Sequence, residues 1–371
     1  SLEVSVELVP DREGRKDPFA PGMVLRRDLR DLVATTENPE TVFGYAERSA
    51  DEARESEQPY LVITTETLQP AFQRLIEHRR AHGLAGEILT MESIEANHEG
   101  RDPAEKLRNA IRDAYQSRGT RFVLLGGDDA DDGGNPLIPI RQCQPSDNTP
   151  SDYYFGALDG DWDTDGDGTF CEADEVDYYS EVHVGRATVD TEQEAEAWLD
   201  KLLRFEAGLP ENRRTDLVFM GEKLDDSTYG DDAMEETADL IDEAEYAIER
   251  LYGRPETFSK ANVIASLDRG PQLTNHLGHA GSNYVMGLGI GYVEGLLNES
   301  PFSSYSQGCY AGAFDQGVSG SEEAISEHFL TAEHAAQAVV MNGRYGWYCV
   351  GSPHCLSQRL AHEFHDAIFN E

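Results

Sequence analysis

Between Tyr60 and Asp128 the chain switches repeatedly between two hydrophobic periods, and no other feature restricts its fold as strongly. Tyr60-Leu-Val-Ile-Thr-Thr65 is a short apolar, β-branched run, and Gln69–Arg80 places Phe72, Leu75 and Ile76 at helical spacing before Gly83 ends the segment. Gly86–Met91 reads as a second strand. Pro103–Gly119 reads as a helix with Leu107, Ile111, Ala114 and Tyr115 inward, and Arg121–Leu125 as a buried strand running into Gly126-Gly-Asp128. Strands in β-α-β-α-β order are joined by crossovers, so they are parallel and carry helices on both faces. A second cycle follows a helix over Thr191–Glu206: strand Asp216–Met220, helix Ala233–Tyr252, strand Asn262–Ala265, two strands leading to His279 and Cys309, strand Ala336–Asn342 and an amphipathic helix Ser357–Phe369. With Pro210-Glu-Asn-Arg-Arg214 as boundary, the expected organisation is an extended N-terminal segment over 1–59 and two side-by-side α/β subdomains, 60–210 and 211–371.

Charge narrows the classes of partner. Seventy-one acidic residues against 30 basic ones give a formal net charge of −41, and Lys contributes only Lys16, Lys106, Lys201, Lys223 and Lys260. Such a surface has no basic patch for phosphate, which argues against a nucleic-acid partner. Self-repulsion of this size calls for high salt or bound cations, since the screening length at molar salt is roughly 3 Å. No apolar run reaches the ~20 residues that span a bilayer, and Ser1-Leu-Glu-Val lacks the features of a signal peptide, so a soluble chain, compatible with a trimmed mature form, is expected.

Two segments carry candidate chemistry. Leu273-Thr-Asn-His-Leu-Gly-His-Ala-Gly281 leads to His279, and Phe302-Ser-Ser-Tyr-Ser-Gln-Gly-Cys-Tyr-Ala-Gly312 leads to Cys309. A thiol becomes a nucleophile when a base or positive field makes thiolate available, and a histidine on a neighbouring strand end supplies this. Gln307-Gly308-Cys309 with Gly312 close behind follows a Gln, small residue, Cys pattern, and small residues let backbone N–H groups face a substrate carbonyl. Taken singly, Cys309 could be a small buried hydrophobe and His279 a satisfied histidine. Pairing Cys143 with Cys171 and Cys349 with Cys355 would leave Cys309 as the free thiol; five reduced thiols are the alternative.

Six segments in order, Tyr60–Thr65, Phe122–Asp128, Asp152–Gly160, Val182–Ala187, Asn275–His279 and Tyr305–Cys309, make the chain from about Tyr60 to Trp347 resemble the gingipain family of cysteine peptidases. The resemblance implies a caspase-like α/β fold, a mostly parallel sheet flanked by helices, and a His279/Cys309 dyad that cleaves peptide bonds through an acyl-enzyme. It further implies that Glu222 orients His279, that Gly278, Gln307 and Gly308 line the substrate site, and that Asp231 or Asp232 receives a basic side chain. The family's Gly after the histidine is Ala280 here. The same resemblance suggests a secreted or cell-surface peptidase acting on protein or peptide substrates, with a propeptide or further C-terminal domains as partners. A transpeptidase would use the same acyl-enzyme. A catalytically silent, calcium-stabilised surface or filament scaffold is the non-enzyme alternative.

Asp163-Thr-Asp-Gly-Asp-Gly168 adds a metal expectation. Asp163, Asp165, Asp167, the Thr169 carbonyl and Asp174 follow the spacing of a calcium loop, with Gly168 at the turn, although Asp174 replaces the usual closing Glu. A solvated acidic loop is the plain alternative. Calcium here would be structural.

Overall fold

The computed structural model describes residues 58–130, 134–208, 215–316, 323–352 and 355–370. The expected 1–59 segment, but for its last two residues, and the 210–214 boundary lie outside them.

The first sheet holds β1 (Tyr60–Thr64), β2 (Gly86–Thr90), β3 (Phe122–Gly126) and β4 (His183–Ala187) in the order β2-β1-β3-β4, every pair parallel. Its helices follow from local signals. Helix α1 (Gln69–Ala81) buries Phe72, Leu75 and Ile76 as their spacing requires. Residue 91 does not end β2 but opens helix α2 (Met91–Asn97), because the Thr90 side chain accepts the Ser93 N–H. Helix α3 (Pro103–Arg118) has Asp102 as N-cap and Gly119 in the left-handed conformation at its end.

Helix α4 (Glu192–Glu206), which opens with a capping box at Thr191 and Glu194, joins the two halves. Trp198 Nε1 donates to the Gln337 carbonyl at 3.1 Å, and the fully buried Lys201 ammonium donates to the carbonyls of Phe329, Ala332 and His334 at 3.0, 2.6 and 3.0 Å.

The second sheet holds β5 (Asp216–Gly221), β6 (Ala247–Tyr252), β7 (Leu273–Leu277), β8 (Phe302–Ser306) and β9 (Ala336–Met341) in the order β9-β8-β7-β5-β6, again all parallel. Two expectations are corrected here. The helix expected over Ala233–Tyr252 is a helix α5 (Gly230–Ala238) followed by edge strand β6. An acidic turn in which Asp242 accepts the Ala244 N–H separates them, and pairing with β5 outweighs the helical pattern of the later residues. The strand expected over Asn262–Ala265 lies inside helix α6 (Lys260–Leu267), whose start is fixed by the Ser259 hydroxyl accepting the Asn262 N–H. Helix α7 (Ile325–Thr331) packs on β9, and helix α8 (Leu356–Phe369) packs on α5.

Chain order reverses between β5 and β7, so the carboxyl ends of β5, β7 and β8 open onto one crevice. In parallel sheets this is where ligands bind.

Candidate active site

His279 follows β7 and Cys309 follows β8. His276 pairs with Ser306 in the parallel register, and each candidate lies three residues further along the chain, past the carboxyl ends of adjacent strands. The two loops touch: a Cβ built on Gly308 would lie 2.4 Å from the Ala280 Cβ and 3.4 Å from the Gly278 carbonyl. Only glycine permits that approach at position 308.

His279 is exposed, and its Nε2 donates to the Leu224 carbonyl at 3.0 Å, which leaves Nδ1 of the neutral ring as the acceptor. Cys309 is half-buried and is the free cysteine, with Sγ 3.7 Å from the Gly346 carbonyl. The other four form the disulfides Cys143–Cys171 and Cys349–Cys355.

Beneath this surface runs a chain of hydrogen bonds between the strand ends. The Gly308 N–H donates to Ser306 Oγ at 3.1 Å, Ser306 Oγ lies 2.8 Å from His276 Nδ1, and His276 Nε2 lies 2.9 Å from Glu222 Oε1. A carboxylate accepts only, so His276 donates through Nε2 and accepts the Ser306 hydroxyl at Nδ1. His276 is fully buried, with Phe258 stacked on it. The expected contact of Glu222 with His279 is therefore corrected: Glu222 reaches His276. Met220 pairs with His276, and Glu222, two residues past Met220, reaches the His276 ring. Hydrogen bonds thus link Glu222 through His276 and Ser306 to Gly308 of the cysteine loop. In sequence, the trace of this chain is the two-residue recurrence of Thr274 and His276 in β7 and of Ser304 and Ser306 in β8.

The other expected substrate residues are engaged. Asp231 is buried and accepts the N–H groups of Gly253 and Arg254 at 3.1 and 3.0 Å, closing the turn after β6. Asp232 takes Arg254 Nη1 and Nη2 at 2.6 Å each, and this pairing holds its carboxyl below the ordinary range. Gln307 is buried with Nε2 donating to Gln358 of α8 at 2.7 Å, and its Oε1 has no hydrogen-bond partner.

In the acidic loop, carboxylate oxygens of Asp163, Asp165 and Asp167 lie within 4.8 Å of one another, and those of Asp165, Glu172 and Glu175 do likewise. Gly166 and Gly168 have φ of 75° and 85°, which lets the loop fold back. Asp174 is in neither group. Glu175, one residue on, accepts the N–H groups of Thr164 and Asp165 at 2.8 and 3.2 Å, and its Oε2 is buried without a hydrogen-bond partner. The Thr169 N–H donates to Asp167 Oδ1 at 2.6 Å, and Arg101 Nη1 meets Asp163 at 2.8 Å. The donor set fits an oxygen-loving cation such as calcium, with Glu172 and Glu175 in the closing position expected of Asp174.

Residues 53–371 match the family model described as Peptidase family C25. No curated protein matches the chain. Among solved structures, the complex of Porphyromonas gingivalis RgpB pro- and mature domains is similar with a TM-score of 0.65 at 17% identity, over 84% of this chain and 69% of that one. The Arg specific cysteine proteinase gingipain R gives 0.63 at 17% identity, over 80% and 64%. A further protease structure gives 0.61 at 14% identity, over 78% of this chain and 60% of that one, so the present sequence spans only part of these relatives.

Proposed function

Because the chain belongs to peptidase family C25, we propose that it is a cysteine endopeptidase in which His279 and Cys309 hydrolyse a peptide bond. The observation that carries this reading is the placement of an exposed histidine and the one free cysteine three residues past paired positions on adjacent parallel strands. His279 Nδ1 takes the thiol proton as Cys309 Sγ attacks the carbonyl carbon, the C–N bond breaks as that proton passes to the leaving amine, and His279 then takes a proton from the water that attacks the thioester and returns it to Sγ as the C–S bond breaks. N–H groups of Cys309 and Gly278 are the candidate oxyanion donors. Glu222, His276 and Ser306 position the cysteine loop.

Calcium held by Asp163, Asp165 and Asp167, with Glu172 or Glu175, would stiffen the loop, which Cys171–Cys143 ties to the first half. Secretion or surface display suits two disulfides, and the −41 charge suits a salt-rich medium. Release from a propeptide is the counterpart of the pro-domain complex known for RgpB.

A thiol-directed acyloxymethyl-ketone probe followed by peptide mass mapping tests the assignment. Cys309 is expected to be the labelled residue, and Cys309→Ala and His279→Ala are each expected to lower kcat/KM by at least about a thousandfold. Turnover that survives Cys309→Ala would overturn it.

A further inference from the structure

The residue directly after Cys309 is held in a backbone conformation that its side chain disfavours. Tyr310 has a φ of 57°, in the left-handed region that a bulky residue keeps only where its surroundings impose it. Three contacts do so. Its N–H donates to the Arg344 carbonyl at 2.8 Å, its hydroxyl donates to Asp147 Oδ2 at 2.9 Å, and its ring meets Tyr345 edge-on at 4.9 Å.

Asp147 comes from the other half of the molecule. It lies at the tip of a short hairpin in which Gln142–Cys143 pairs antiparallel with Thr149–Pro150, and the tip residues Asp147 and Asn148 are left-handed too, with φ of 62° and 50°. The same tip grips the buried Arg344: Nε donates to the Asp147 carbonyl at 3.0 Å and Nη2 to the Asn148 carbonyl at 2.5 Å. Asp315 takes the far side of that guanidinium, accepting from Nη1 and Nη2 at 2.9 and 2.7 Å. The base of the hairpin is fixed in turn by the Cys143–Cys171 disulfide, and Gln144 bonds the Gly168 carbonyl and the Phe170 N–H at 3.2 and 2.8 Å. Asp147 and Tyr310 are 163 residues apart in sequence, so this bridge belongs to the packing of the two halves. A displacement of about 1 Å at a reacting atom costs up to about a hundredfold in rate.

Resting on the peptidase reading, we infer that the hairpin tip of the first half sets the nucleophile of the second, with Asp147 as a positioning residue that holds Tyr310 and, through it, Cys309 Sγ in line with His279. Asp147 touches no reacting atom, so its effect falls on turnover rather than on substrate binding.

Three variants test this. Asp147→Gly removes the carboxylate and still accepts the left-handed backbone, Tyr310→Phe removes the hydroxyl alone, and Asp147→Asn keeps an acceptor oxygen on a residue that tolerates that backbone. Asp147→Gly and Tyr310→Phe are each expected to lower kcat by about tenfold or more while KM changes by less than about twofold. Because both remove the same bond, the double variant is expected to lose no more than the slower single one, and Asp147→Asn to stay within about threefold of the wild type. An unchanged kcat in both single variants, losses confined to KM, additive losses, or an Asp147→Asn as slow as Asp147→Gly overturns the proposal.

A second measurement needs no turnover: the pH at which Cys309 reaches half its maximal rate of reaction with iodoacetamide, read by peptide mass mapping. A thiol moved away from its histidine forms thiolate less readily, so this midpoint is expected to rise by about half a unit or more in Asp147→Gly and Tyr310→Phe and to stay at the wild-type value in Asp147→Asn. Midpoints that coincide in all four proteins overturn the proposal. A wild-type chain that cleaves no peptide counts against the peptidase reading instead, and the alkylation midpoints then decide the bridge.

Discussion

Two histidines three positions apart on one strand end have opposite physical situations. His276 is fully buried between the Glu222 carboxylate and the Ser306 hydroxyl, so replacing it by Ala would remove both hydrogen bonds and leave a cavity. Each such loss costs about 1–3 kcal/mol, with a cavity penalty added. His279 is exposed and holds one bond to a backbone carbonyl that water can replace. His276→Ala is therefore expected to lower the unfolding free energy by roughly 3 kcal/mol or more, and His279→Ala to change it by less than about 0.5 kcal/mol while removing turnover. Urea unfolding of both variants beside a peptide assay separates the two roles. Equal destabilisation by both would mean that His279, too, is a structural residue.

At the scale of elements, residue patterns reveal what is local and miss what is set by pairing across the fold. Strands β1, β3 and β5 and helices α1, α3 and α4 stood in the apolar spacing, and His279 and Cys309 stood at the ends of their runs. The four-residue run Asn262–Ala265 was ambiguous by period, and only the Ser259 cap makes it helical. The partnership of Arg254 with Asp232 spans 22 residues and two elements, and nothing in either local sequence marks it. The acidic loop was legible in its first half, through the alternation of Asp163, Asp165 and Asp167, but its closing carboxylates depend on how the chain returns after Cys171. Asp165 belongs to both carboxylate groups, so it is the position where a cation's removal should tell most. Added calcium is expected to raise the melting temperature of the wild type, a chelator to lower it, and Asp165→Asn to abolish both responses. A wild-type melting curve indifferent to calcium and chelator would sink the cation reading and leave Arg101 as the loop's counter-charge.

Across the whole molecule, the two sheets meet at a seam where the acidic excess reaches the interior. Asp128 follows β3 in the first half and is buried; Glu327, on α7 of the second half, is buried too and lies near enough to act on it electrostatically. Asp128 Oδ1 has no hydrogen-bond partner, while Glu327 accepts the Ala324 N–H at 2.6 Å. Two buried carboxyl groups in this position cannot both ionise cheaply, which favours the protonated form of each. Burial, reinforced by the neighbouring Asp129, pushes the Asp128 carboxyl up to about 8 from 3.8, and burial with Asp128 beside it pushes Glu327 up as well. A carboxyl raised in the folded state binds its proton more tightly there than in the unfolded chain. Its contribution to stability is whole below about pH 4 and fades as the pH climbs toward 8, by at most about 1.4 kcal/mol per unit for each group. Asp128→Asn keeps a neutral polar group at the seam and removes this titration. The variant's stability relative to wild type is therefore expected to improve from pH 5 to pH 8. Urea unfolding across that range, at one fixed KCl concentration so that screening of the −41 charge stays constant, makes the comparison. Parallel stability curves for the two proteins would show that Asp128 is ionised in the fold throughout, with its charge balanced by Arg186 rather than removed by a proton.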